Sequence, residues 1–106
     1  AHIVPPTGAK GLNLAVADVW RLSGAVAEFY RNGSEAGLAA YSAAALRRVW
    51  RAQDFSNYMT QLLHDLGGGA YESRLQLARL EYLSISDAAA TSLAENYAGL
   101  PAKEDF

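Results

Sequence analysis

The residues with the best claim to chemistry sit near the start of the 106-residue chain, in Pro5-Pro6-Thr7-Gly8-Ala9-Lys10-Gly11-Leu12-Asn13. Gly8 and Gly11 permit positive φ or close backbone approach, so the segment reads as a loop. A helix opening at Leu12-Asn13 would bring unpaired backbone N–H groups and the positive end of its dipole to the same place. Such a spot suits a phosphate, a carboxylate or an enolate-like oxygen, and Lys10 adds charge to the same field. Many ordinary loops share this spacing, so by itself it is a weak signal.

Other chemistries find less. With zero cysteines there are no disulfides, thiolate metal ligands or cysteine nucleophile. His2 and His64 lie far apart in sequence with no carboxylates at ligand spacing, and His64 reads as a surface or capping residue near a helix end. No Gly-x-Ser-x-Gly elbow, Walker loop or Gly-x-Gly-x-x-Gly occurs, and no paired carboxylates suit acid–base work. Arg47, Arg48 and Arg51 with Trp50 have the charge and stacking surface for nucleic acid. A net charge of −2 and the lack of a recognition motif favour a solvated helix face instead. That balance also offers no broad attraction to an anionic membrane. No apolar run approaches the roughly 18 residues that cross a bilayer, and no signal peptide is recognisable, so a cytoplasmic location is expected.

These residues must be positioned by helices, because 21 alanines and 14 leucines stand against three prolines. His2-Ile3-Val4 reads as the end of a strand that Pro5-Pro6 stops. From Leu12 to Tyr30, apolar residues recur at Leu12, Ala15, Val19, Leu22, Val26 and Phe29, the steps of an amphipathic helix. Asn32-Gly33 ends it, and Ser34 is the expected N-cap of the next. There Leu38, Tyr41, Ala45, Ala52, Phe55, Met59, Leu62 and Leu66 form a near-heptad over about 30 residues, interrupted by Arg48. A helix of that length wants a larger body to lie against. Tyr41, Trp50, Phe55, Tyr58 and Tyr71 read as core or interface. Gly67-Gly68-Gly69 stops the long helix. A third helix is expected over Ala70 to Tyr82, with Tyr71, Leu75, Ala78 and Tyr82 on one face. A fourth, capped by Ser86, runs to about Glu95 ahead of a loose tail, Ala102 to Phe106. The fold class is therefore mostly α: three to four helices after a short strand or loop. The abrupt opening at Ala1 reads as the middle of a longer protein.

Ala1 to Ala15 resembles the second FAD-contacting segment of the aromatic flavoprotein monooxygenases. The likeness continues through Tyr41-Ser42, Leu46-Arg47-Arg48-Val49-Trp50, Phe55-Ser56 and Met59-Thr60. It returns at Leu80-Glu81-Tyr82 and at Ala94-Glu95-Asn96-Tyr97-Ala98-Gly99-Leu100-Pro101, so it covers nearly the whole chain. The resemblance implies a C-terminal quarter of an α/β FAD-binding hydroxylase. Residues 1–15 would close the FAD-binding domain, and residues 16–106 would form a helical region with the homodimer interface and an active-site cover. The Gly-Asp that precedes this segment in the family, the Gly-x-Gly-x-x-Gly loop and the residues that hold the substrate would belong to the remainder of the parent chain.

The same resemblance assigns roles. Gly8, Ala9, Lys10, Gly11, Leu12 and Asn13 would bind FAD, with the Leu12 and Asn13 N–H groups at the N1–C2=O edge of the flavin. Lys10 would favour reduction by NADPH. Pro6, Thr7 and Gly8 would line the face where oxygen adds to give the flavin C4a-hydroperoxide, and the Pro6 carbonyl would meet the phenol of a small aromatic substrate such as 4-hydroxybenzoate. Tyr97 would help remove the phenolic proton. The chain alone is expected to be inactive. It departs from the family at Asn57-Tyr58, around Gly67-Gly68-Gly69 and in the tail, which bears on the dimer surface more than on the chemistry. A related phenolic-ring hydroxylase stays open, as does a free-standing helical interaction module.

Overall fold

The computed structural model describes residues 2–99, which form four helices: α1 (Gly11–Asn32), α2 (Ala36–Leu63), α3 (Gly69–Ile85) and α4 (Asp87–Ala98). The mostly helical class stands. The expected strand at His2-Ile3-Val4 does not form, because a strand needs a neighbour's ladder of hydrogen bonds and the other described residues are helix or turn. The segment instead runs along the helices. The Gln53 side-chain amide donates to the Ile3 carbonyl at 2.6 Å, and His2 pairs with Asp18 of α1.

Each helix ends for a local reason. Gly33 takes a left-handed φ of +74°, and its N–H donates to the Phe29 carbonyl at 2.8 Å, closing α1 where Asn32-Gly33 predicted. Ser34 serves α2 only loosely. Its hydroxyl accepts the Ala36 N–H at 3.4 Å, while the capping position falls to Glu35, which makes no side-chain cap. α2 stops at Leu63, ahead of Leu66 and the glycine run. Beyond it His64 turns extended, and the Gln76 amide of α3 donates to the carbonyls of Leu62 (2.9 Å) and His64 (3.2 Å). Ser86 caps α4 as expected, accepting the Ala89 N–H at 3.2 Å. The expected tail, Ala102 to Phe106, and the Leu100-Pro101 pair lie outside the described residues.

The core lies between α1 and α2: Leu14 and Ala25 from α1 meet Ala44, Ala45, Val49, Phe55 and Leu62 from α2, and α3 and α4 bury no residue. Gly37 makes the close approach possible, since a Cβ there would stand 3.0 Å from the Ala25 Cβ and 3.2 Å from its Cα. The middle of the α2 stripe is the predicted one, with Ala45, Phe55 and Leu62 buried and Tyr41, Arg48, Ala52 and Met59 half-buried, whereas Leu38 and, beyond the helix, Leu66 are exposed. The α1 stripe is not. Its inward line is Leu14, Ala17, Asp18, Arg21 and Ala25, and the predicted Leu12, Val19, Leu22, Val26 and Phe29 are exposed. The His2–Asp18 pair and the small Ala25 turn that line towards the rest of this chain, leaving the richer apolar face uncovered. Of the aromatic residues read as core, Phe55 is buried and Tyr41 half-buried, whereas Trp50, Tyr58 and Tyr71 are exposed. The face expected on α3 likewise stays in solvent, apart from half-buried Leu75.

Candidate functional site

The loop between the N-terminal segment and α1 is a tight turn followed by an open helix end. The Ala9 N–H donates to the Pro6 carbonyl at 3.0 Å, and Gly8, third of the four residues, has φ +90°, the pattern of a type II turn. Ala9 follows at φ +51°, a left-handed conformation that a residue with a Cβ adopts at a cost of about 1–2 kcal/mol. Lys10 and Gly11 then enter α1, whose first turn carries no acidic residue and no side-chain cap. The first bond of the helix is Leu14 N–H to the Lys10 carbonyl at 3.0 Å. The N–H groups of Gly11, Leu12 and Asn13 are thus left without intrahelical partners at the positive end of a 22-residue helix.

Helix α2 holds this loop from behind. The Phe55 ring, only 6% exposed, lies 3.1 Å from where a Cβ on Gly8 would stand. Thr60, just over a turn further along α2, shares a hydrogen bond with the Thr7 hydroxyl at 2.9 Å. From the other side α4 closes in. Tyr97 meets Phe55 edge-on with ring centroids 6.1 Å apart, and the Lys10 ammonium donates to the Tyr97 carbonyl. That ammonium lies 5.3 Å from the Phe55 ring centroid and 5.5 Å from that of Tyr97, within cation–π range of both. The Tyr97 hydroxyl makes no hydrogen bond to another described residue, and its residue is 60% exposed.

The structure therefore brings Pro6, Thr7, Gly8, Ala9, Lys10, Gly11, Leu12, Asn13 and Tyr97 to one end of the α1–α2 pair. Sequence reasoning missed the parts that join them: Phe55 and Thr60 from α2. Phe55 was visible as a core aromatic of the α2 stripe and, like Thr60, as part of the family likeness, but nothing in the spacing links Thr60 to a threonine 53 residues earlier. Beside Lys10 opens a cleft of about 330 Å³ whose lining includes Arg21, Arg47, Arg48 and Arg51 and, among the described residues, no carboxylate. These cations raise the positive potential around the α1 start in a chain whose net charge is −2.

A loop of closely approaching backbone that ends in uncapped N–H groups, inside a positive field, is built for an anionic ligand. The first 78 residues match the FAD binding domain family, and the chain belongs to that family. FAD is accordingly the cofactor of the family, and the residues of this loop would fit it: free donors for an electron-rich edge, and a turn whose Gly8 has no side chain on the approach. The chain is similar to the p-hydroxybenzoate hydroxylase of Acinetobacter baylyi, with 53% identity over 102 residues. That match covers 95% of this chain and 25% of the relative, so the chain spans about a quarter of the length of the curated protein it matches. No described helix is long and apolar enough to cross a membrane.

Proposed function

We propose that this chain forms one wall of the flavin site in an FAD- and NADPH-dependent monooxygenase that converts 4-hydroxybenzoate to 3,4-dihydroxybenzoate, working as a cytoplasmic homodimer. The observation that carries the reading is the uncapped α1 N-terminus behind the Gly8–Ala9 turn, with Lys10 beside it. Bound FAD supplies the redox and oxygen chemistry that none of these side chains has. The chain's own residues do the rest. The Leu12 and Asn13 N–H groups would hold the electron-rich N1–C2=O edge of the flavin, and Lys10 would add positive charge to the same field. Pro6, Thr7 and Gly8 present backbone, not bulk, to the reacting face and exclude water from it. One lone pair of the Pro6 carbonyl is engaged by the Ala9 N–H, and the other stays free to accept from the substrate phenol. Tyr97, its hydroxyl without a described partner, takes part in drawing off the phenolic proton, which makes the ring more electron-rich.

The test is made on the complete flavoprotein. With FAD, NADPH and 4-hydroxybenzoate it is expected to yield 3,4-dihydroxybenzoate. Turnover only with a different phenol would move the reading to a related ring hydroxylase, and FAD loading without any hydroxylation would overturn it. Tyr97→Phe is expected to slow hydroxylation by about 100-fold while FAD stays bound, the lower end of what one proton-transfer group contributes. Unaltered turnover across pH would remove Tyr97 from the proton path.

A further inference from the structure

Thr60 sits in the middle of α2, and its hydroxyl lies 2.8 Å from the Ser56 carbonyl and 2.9 Å from the Thr7 hydroxyl. A carbonyl has no proton to give, so the bond to Ser56 takes the single proton of Thr60, the i−4 back-bond common for threonine in helices. The bond to Thr7 must then be filled by the proton of Thr7. That leaves Thr7 with lone pairs only for any other neighbour: it can accept a hydrogen bond from a ligand N–H or O–H and can donate none. Ser56 is itself fully buried, so the carbonyl that sets this direction is shielded from competing water. Phe55, against Gly8, keeps the same turn from moving towards α2.

We propose that Thr60 is a positioning residue of the flavin site: it orients the Thr7 hydroxyl as a pure acceptor and holds the turn Pro6–Ala9 in place on α2. The proposal rests on the flavin-site reading above and names a residue 53 positions from the loop it controls. Thr60 touches neither cofactor nor substrate in this account. It acts through Thr7 alone.

The test compares Thr60→Val, which keeps the shape and removes the hydroxyl, with Thr60→Ser, which restores it, in the complete flavoprotein. In the apoprotein stripped of FAD, amide hydrogen exchange over residues 6–13 is expected to quicken about fivefold in Thr60→Val, the factor one neutral hydrogen bond confers. Thr60→Ser should match the wild type. In the loaded protein, the share of oxidised NADPH that yields hydroxylated product should fall in Thr60→Val and recover in Thr60→Ser, with the KM for the phenol little changed. The double variant Thr60→Val, Thr7→Val should exchange no faster than the faster single variant, because both remove the same bond. Wild-type exchange in Thr60→Val, equal damage from Val and Ser, or strict additivity would each overturn the proposal. If Thr60→Val does not fold, Thr7→Val reads the same bond from the loop side, and unchanged exchange there overturns it equally. A wild-type protein that holds FAD yet hydroxylates nothing would defeat the functional reading alone, since the exchange measurement still judges Thr60.

Discussion

Gly8 concentrates two constraints in one residue: a φ of +90° and the Phe55 ring 3.1 Å from the site of any Cβ. Gly8→Ala therefore meets left-handed strain of about 1–2 kcal/mol and must also displace a buried ring. The expected outcome is a protein that keeps its helical circular dichroism but releases FAD about tenfold more readily, measured as the dissociation constant of the complete flavoprotein, since about 1.4 kcal/mol is one decade. Unchanged affinity would mean that the turn relaxes without touching the flavin. Half of this was readable from residue types. A glycine between Thr7 and Ala9 announces a turn, and Lys10 announces charge. Phe55 and Thr60 were unreadable as site residues, because their part depends on where α2 crosses the loop and not on anything near them in the chain.

Helix existence and helix burial separate cleanly in this chain. The 3.6-residue period marked α1 and α2 to within a few residues, since period reflects which residues share a face. It does not say what a face packs against. In α2 the apolar stripe meets α1, and the reading holds. In α1 the stripe of Leu12, Val19 and Val26 points to solvent, while Leu14 and Ala25 make the contact. The contact is set by small residues. Gly37→Ala gains up to about 1 kcal/mol of helix propensity, yet its new Cβ lands on Ala25 backbone and side chain at 3.0–3.2 Å. Forcing α1 and α2 apart opens the only packed core among the described residues, so the melting temperature is expected to fall in thermal unfolding. A rise would mean that the helices slide without loss. Ser86 shows the opposite case, a cap whose job is local and which was legible as such.

At the scale of the molecule, the radius of gyration is 18.0 Å over extents of 60 × 29 × 17 Å, whereas a self-contained domain of this length has about 13 Å. Its accessible surface of 7928 Å² exceeds the roughly 5,800 Å² of a folded monomer of 11.4 kDa. Exposed Trp20 and Trp50, at 82% and 69%, lie on that surplus. The chain spans about a quarter of the length of the relative it matches, and its own helices leave this surplus uncovered. On the proposed function, the chain by itself holds one wall of a flavin site. In a fluorescence titration it is expected to bind FAD weakly or not at all, and submicromolar affinity would overturn that view.

Helical class and the loop Pro6 to Asn13 were within reach of the amino-acid order, because helix period and turn chemistry are short-range properties of a chain, and the family and Tyr97 were reached by resemblance. The tertiary structure decided which α1 face is covered, where the N-terminal segment lies once no described strand partner is at hand, and which α2 side chains brace the loop before α1. Those depend on contacts between residues dozens of positions apart, such as Thr7 with Thr60 and Lys10 with Tyr97. Such contacts follow from the crossing of two helices over a glycine and an alanine, a geometry that no local pattern encodes.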